Sequence, residues 1–127
     1  MVGIVVVSHS REIASGTVAL AGQMAGPEVR IEGAGGTHDG GLGTDADRIR
    51  EAIDSADQGD GVVVLGDLGS AFLTARAVLA VRENGRVRLV DAPLVEGAVA
   101  AAVTASAGLD LAGVEHGAME TWGAAKL

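Results

Sequence analysis

Two short valine-rich stretches, Val2–Val7 (VGIVVV) and Gly61–Leu65 (GVVVL), hold no charged or hydrogen-bonding side chain. Short and rich in valine, they read as strands, and strands that are apolar at every residue are buried on both faces. That pattern calls for a parallel sheet with helices packed on each side. Two further segments alternate instead: Val29 and Ile31 against Arg30 and Glu32, and Val87 and Leu89 against Arg86 and Arg88. Alternation leaves one face wetter, as at the edges of a sheet.

Helical periodicity fills the gaps. Ile13, Thr17, Leu20, Ala21 and Met24 form one stripe. Ala46, Ile49 and Ile53 form another, after Thr44-Asp45-Ala46-Asp47, which fits a capping box with Thr44 as the N-cap. Ala71, Phe72, Ala75, Val78 and Leu79 mark a third helix, with Asn84-Gly85 as its stop. Pro93 suits the first position of a fourth, which runs through alanines to Ser106 and stops before Gly108. Leu111, Val114 and Ala118 mark a short fifth.

The order βαβαβαβα plus a terminal helix predicts an α/β fold: a three-layer, doubly wound parallel sheet with strand order 2-1-3-4, helices on both faces and right-handed crossovers. No linker, repeat or low-complexity tract interrupts the pattern, so residues 1–127 are expected to form a single domain. Ligands of such sheets bind beyond the carboxyl ends of the strands where the winding reverses, here between the first and third strands.

Composition narrows the ligand. The formal charge is −8, from 9 basic and 17 acidic side chains, with no basic stripe. Nucleic acid is therefore not an expected partner. Two aromatics, Phe72 and Trp122, are too few for a base-stacking platform. The absence of cysteine excludes thiolate metal sites and disulfides. No apolar run approaches the ~20 residues that cross a bilayer. No basic region precedes Val2–Val7, so no membrane segment or signal peptide is expected, and the expected compartment is cytoplasmic. A P-loop, a nucleophile elbow and a dinucleotide fingerprint are all missing, and the only lysine is Lys126.

The first strand runs out into Ser8-His9-Ser10 and the third into Gly66-Asp67-Leu68-Gly69-Ser70. The predicted topology sets His9 and Asp67 side by side at the switch point. A carboxylate facing an imidazole fixes its tautomer and makes the other ring nitrogen a better nucleophile. Gly69 and Ser70 open a helix whose free N–H groups and positive dipole end suit a phosphoryl group. Plainer roles compete, a hydrogen-bonded loop histidine and a helix-capping aspartate. Ser10 and Thr44 border the crevice and are further candidates for phosphate contact. The loop Gly33–Gly43 has six glycines in eleven residues, which allows close backbone approach to a ligand or simply a mobile tip. His38 in that loop, and His116 in the terminal helix, read as surface residues. Arg11 reads as a solvated first-turn residue that could also reach a phosphoryl group.

Four blocks then stand out together: Val-Gly-Ile-Val-Val-Val-Ser-His-Ser at 2–10, Gly-Thr-Asp-Ala at 43–46, Gly-Asp-Leu-Gly-Ser-Ala at 66–71 and Ala-Pro-Leu-Val-Glu-Gly at 92–97. In order, and over nearly the whole chain, they resemble the mannose-type EIIA domains of the phosphotransferase system. The first and last blocks are most similar to the branch that serves PEP-dependent dihydroxyacetone kinase. The resemblance implies a phosphotransferase subunit that works as a phosphohistidine carrier. His9 would take phosphate from the small carrier HPr and pass it to ADP on the DhaL subunit, and the ATP formed would phosphorylate dihydroxyacetone on DhaK. His9 and Asp67 become the catalytic pair, and Ser70 with its neighbouring N–H groups the phosphate contact. A homodimer, phosphate on Nε2, and no cofactor or metal at the site are also implied. Some relatives continue into HPr-like and enzyme I-like domains; the chain stops at Leu127, so those functions are expected on separate proteins.

The chemistry fits independently. Phosphoryl transfer passes through a loose transition state and needs mainly alignment and charge stabilisation. An aligned neutral imidazole, N–H donors and an open approach floored by Gly66, Gly69, Ser70 and Ala71 meet that need. Three alternatives remain: an EIIA domain of sugar uptake, a regulatory EIIA domain, and a tetrapyrrole metal chelatase. The chelatases also place a histidine after the first strand, but usually need another at the site, for which only His38 and His116 are available.

Overall fold

The computed structural model describes residues 1–82 and 85–127. Strands β1 (Gly3–Ser8), β2 (Ile31–Gly35), β3 (Val62–Gly66) and β4 (Val87–Leu89) alternate with helices α1 (Arg11–Met24), α2 (Ala46–Ala56), α3 (Gly69–Ala80) and α4 (Leu94–Ser106). Helix α5 (Leu111–Met119) and a 3-10 turn (Glu120–Gly123) follow. The strands form one parallel sheet in the order β2-β1-β3-β4, as the burial of the two valine runs predicts. Every residue of β1 and β3 is buried, whereas β2 and β4 keep exposed positions.

The sheet separates two cores. Ile4, Val6, Val63 and Leu65 pack against α1, α4 and α5. Val5, Val7, Val62 and Val64 pack against α2 and α3. Successive strand residues serve opposite faces, which is why an unbroken apolar run was required. The buried residues of helix α4 are Gly97, Ala98, Ala101, Ala102 and Ala105, all small, so it lies close to the sheet. It stops where Gly108 takes φ +86°, with the Leu109 N–H bonded back to Thr104 O.

Several expectations shift in detail. The buried stripe of α1 is Ala14, Thr17 and Ala21, while Ile13, Leu20 and Met24 stay 50%, 46% and 58% exposed. The cause lies in β2, which begins at Ile31 and runs through Gly33 to Gly35, further than the Val29–Glu32 alternation predicts. A methyl on Gly35 would come within 2.7 Å of Ala14 Cβ and of Ser10 O. At Gly35 helix and strand are so close that only a small residue such as Ala14 fits between them. Helix α2 is capped by Asp45, not Thr44: the Asp45 Oδ1 accepts the N–H groups of Asp47 and Arg48. Pro93 is the N-cap of α4 and not its first residue, with a non-helical ψ of 133°. Asn84, half of the predicted stop for α3, lies outside the described residues; the helix ends at Ala80.

Candidate functional site

Val7 of β1 pairs with Gly66 of β3, so the residues after both strands leave the sheet together. The Asp67 carboxylate crosses the gap. Its Oδ1 accepts the His9 Nδ1–H at 2.9 Å and the Leu68 N–H at 2.7 Å. Its Oδ2 accepts the His9 backbone N–H at 2.9 Å and the Ser8 hydroxyl at 2.8 Å. Burial alone would raise the carboxyl pKa, but the bonds from His9, Ser8 and Leu68 outweigh it and hold Asp67 below the usual carboxylate range. As an ionised carboxylate it can only accept, so the proton of the neutral imidazole sits on Nδ1. Nε2 then carries the lone pair, and the Ser70 hydroxyl donates to it at 2.8 Å. With 27% of the His9 side chain exposed against 14% of Asp67, the nucleophile is reachable and its partner is shielded.

Ser70 belongs to the first turn of α3. Side chains of Ser10, Asp45 and Asp110 cap α1, α2 and α5, whereas Leu68 leaves α3 without a side-chain cap. The Gly69 and Ser70 N–H groups head the helix with no acceptor among the described residues. Free donors at the positive end of a helix dipole attract an anion, here next to Nε2.

The glycine-rich loop is held rather than free. Gly36 N–H donates to Ser8 O at 3.2 Å and Gly43 N–H to His9 O at 2.9 Å. Gly40 and Gly43, at φ +90° and +137°, make the turns that bring it back. Thr44 then joins its hydroxyl to that of Thr74 at 2.7 Å, tying the loop's end to α3. Ser10 is occupied as the α1 cap, accepting from the Ile13 N–H. Of the four candidates for phosphate contact, the structure therefore brings Ser70 to the imidazole, with Gly69 one residue before it. Ser10 and Thr44 spend their hydroxyls on the scaffold.

His38 is exposed in the loop, and His116 pairs with Glu120 on the surface of α5. The second histidine that a chelatase calls for is thus absent from the site, and no group of three His, Asp or Glu side chains able to hold a metal gathers among the described residues. Arg11 is exposed at the start of α1. A cleft of about 510 Å³ opens beside Asp67, lined by Phe72, Arg76, Asp91, Pro93 and Trp122 among others. The Trp122 indole is held by a 2.9 Å bond to Asp91 O, yet 63% of the residue is exposed. Two features escape a reading of the sequence: Ser8, whose only signal is one hydroxyl ending an apolar run, and this cleft, which joins segments far apart in the chain.

Residues 3–115 match the family model EIIA-man, described as PTS system fructose IIA component. The chain is 43% identical over 125 residues to the PEP-dependent dihydroxyacetone kinase phosphoryl donor subunit DhaM of Escherichia coli (strain K12), covering 94% of this chain and 26% of that protein. It thus spans about a quarter of that relative's length. A second relative, the phosphoryl donor subunit DhaM of PEP-dependent dihydroxyacetone kinase 2 from Listeria innocua, is 40% identical over 106 residues, covering 81% of this chain and 85% of that one. Among solved structures, the unknown function protein EF1359 superposes with a TM-score of 0.84 at 39% identity, over 94% of this chain and 93% of that one. The phosphotransferase system component EIIA from Streptococcus agalactiae shares the fold, with a TM-score of 0.72 at 15% identity over 99% and 97% of the two chains.

Proposed function

The chain belongs to the EIIA-man family of PTS system fructose IIA components, and on that premise we propose that it is a phosphohistidine carrier serving a PEP-dependent dihydroxyacetone kinase. The observation that carries the reading is the imidazole of His9, gripped at Nδ1 by Asp67 and open at Nε2 beside Ser70 and an uncapped helix end. The names of the E. coli and Listeria relatives favour dihydroxyacetone over sugar uptake.

In the proposed cycle, the lone pair of Nε2 attacks the phosphorus of phospho-HPr in line. The donor's P–N bond breaks as the new one forms, and HPr leaves with its imidazole restored. Nδ1–H stays on Asp67 throughout, so the positive charge developing on the ring faces a carboxylate. The Ser70 hydroxyl turns from Nε2 to a phosphoryl oxygen, joined by the Gly69 and Ser70 N–H groups. In the second half, a terminal phosphate oxygen of ADP on the DhaL subunit, working with DhaK, attacks the same phosphorus and His9 is regenerated. A single domain, a cytoplasmic setting and a homodimer belong to the same proposal. The exposed Ile13, Leu20 and Met24 share one stripe of α1 and support self-association.

The test is phosphorylation by PEP, enzyme I and HPr, read by intact mass. The parental chain gains one acid-labile phosphate and His9→Ala gains none; phosphate retained on the variant would sink the assignment. Adding the cognate kinase subunits and dihydroxyacetone then separates this reading from sugar uptake, since product forms only when the chain is present.

A further inference from the structure

We infer that Ser8 is a positioning residue of the site: acting through Asp67, it keeps the His9 imidazole protonated at Nδ1. Among the described residues Ser8 and Thr17 are the buried polar side chains, and Ser8 has no exposed surface. Its hydroxyl has a fixed direction. The oxygen accepts the Ser10 N–H at 3.0 Å, and the proton goes to Asp67 Oδ2 at 2.8 Å, because a carboxylate cannot donate.

The four donors on Asp67 are not equivalent. The Nδ1–H belongs to the ring that has to be held, the His9 main-chain N–H belongs to the chain leaving β1, and the Leu68 N–H lies on the same segment as the carboxylate. Ser8 is the donor that lies within β1 itself, where it pairs with Gly35 in the centre of the sheet, and among the described residues it is the only buried side chain that grips the carboxylate from there. A bond on Oδ2 sets the rotation of the carboxylate, and that rotation aims Oδ1 at Nδ1. Without it, Oδ2 keeps one bond, the Ser10 N–H loses its acceptor, and the carboxylate turns more freely about its last bond. The ring is then less firmly held to the tautomer that leaves Nε2 unprotonated.

Ring-nitrogen shifts of ¹⁵N-histidine-labelled chain, recorded by NMR with neutral imidazole, test this directly. The parental chain and Ser8→Thr, which keeps the hydroxyl, should show His9 mainly in the Nδ1–H form. Ser8→Ala and Ser8→Cys should show a gain of the Nε2–H form. On the carrier reading, which only this arm rests on, phosphorylation of His9 in the two variants should slow in kcat by about tenfold, the loss of a bond to a charged acceptor, with KM for phospho-HPr unchanged. A purely structural serine would lower the melting temperature without moving the tautomer. Unchanged His9 shifts in folded Ser8→Ala would overturn the inference. If that variant does not fold, the same result in Ser8→Cys, of similar volume but a weak donor, overturns it equally. Should the parental His9 take no phosphate at all, the carrier reading falls while the shifts still decide the role of Ser8.

Discussion

Replacing Asp67 by asparagine keeps the shape of the side chain and removes its charge and half its accepting capacity. The carboxylate now takes four hydrogen bonds, two on each oxygen. An amide has one acceptor oxygen and two N–H donors. With its oxygen toward His9 Nδ1 and Leu68, the NH₂ group faces the Ser8 hydroxyl and the His9 N–H. Turned over, it faces Nδ1, which must then accept, and the ring proton moves to Nε2. Either orientation strands two donors in a largely buried site. At about 1–1.5 kcal/mol for each, the variant should lose roughly 2–3 kcal/mol of stability, or a melting temperature lower by about 10 °C, and remain folded at 25 °C. The kinetic effect is larger. If restoring the Nδ1–H tautomer costs about 2.7 kcal/mol, phosphorylation of His9 slows by roughly a hundredfold. Rapid-quench measurement of acid-labile phosphate arriving from phospho-HPr reads this rate, with circular dichroism as the check on folding. A rate within twofold of the parental chain would reduce Asp67 to a tie between strand ends.

The acid limb of stability should carry the same residue's signature. Because the folded pKa of Asp67 is depressed, its contribution is complete above the ordinary carboxylate pKa of about 3.9 and is lost as pH falls through the lower folded value. The stability gap between parental chain and Asp67→Asn, from urea melts, should be at its full size above about pH 5 and narrow as pH falls below about 4; a gap unchanged at pH 2.5 would refute the linkage. Separately, Gly35→Ala should cost about 2–3 kcal/mol, since the new methyl sits 2.7 Å from Ala14 Cβ and Ser10 O and 2.8 Å from Arg11 Cα. A melting temperature within a degree or two of the parental chain would show that α1 can move away at little cost.

What the sequence made legible was whatever burial alone decides. A short all-apolar run rich in β-branched valine, unlike the alanine-rich run of α4, points to a central strand, so Val2–Val7 and Gly61–Leu65 set the strand order and, through it, the meeting of His9 with Asp67 and Ser70. What it concealed depended on distances between elements. Size and hydrophobicity favour Ile13, Leu20 and Met24 as the buried stripe of α1. The real constraint is Gly33 and Gly35 opposite, which let the helix approach until Ala14 and Val18 lie against the strand, and the buried stripe becomes Ala14, Thr17 and Ala21. The same glycines hide the end of β2, because a residue of poor strand propensity stands where close packing requires it. Thr44 and Asp45 were equally good caps by type, and the choice fell to Asp45 because the Thr44 hydroxyl is taken by Thr74, thirty positions away.

The charge of the site follows from the same geometry. Lys126, the chain's only lysine, pairs with Glu96 at 2.6 Å, and no arginine or lysine among the described residues bonds to His9 or Ser70. Next to the ring, a phosphoryl group on Nε2 would be met by a hydroxyl and backbone N–H groups, neutral donors whose hydrogen bonds are roughly half as strong as those of a guanidinium, with Arg76 further along the cleft. For an enzyme that had to trap phosphate, this would be a weakness. For a carrier it is a requirement, because any stabilisation of the phosphorylated state beyond what the donor offers must be overcome again at the acceptor. The one full charge in the network, on Asp67, faces the other nitrogen. It supports the ring when phosphorylated, and it does so without binding the group that must leave.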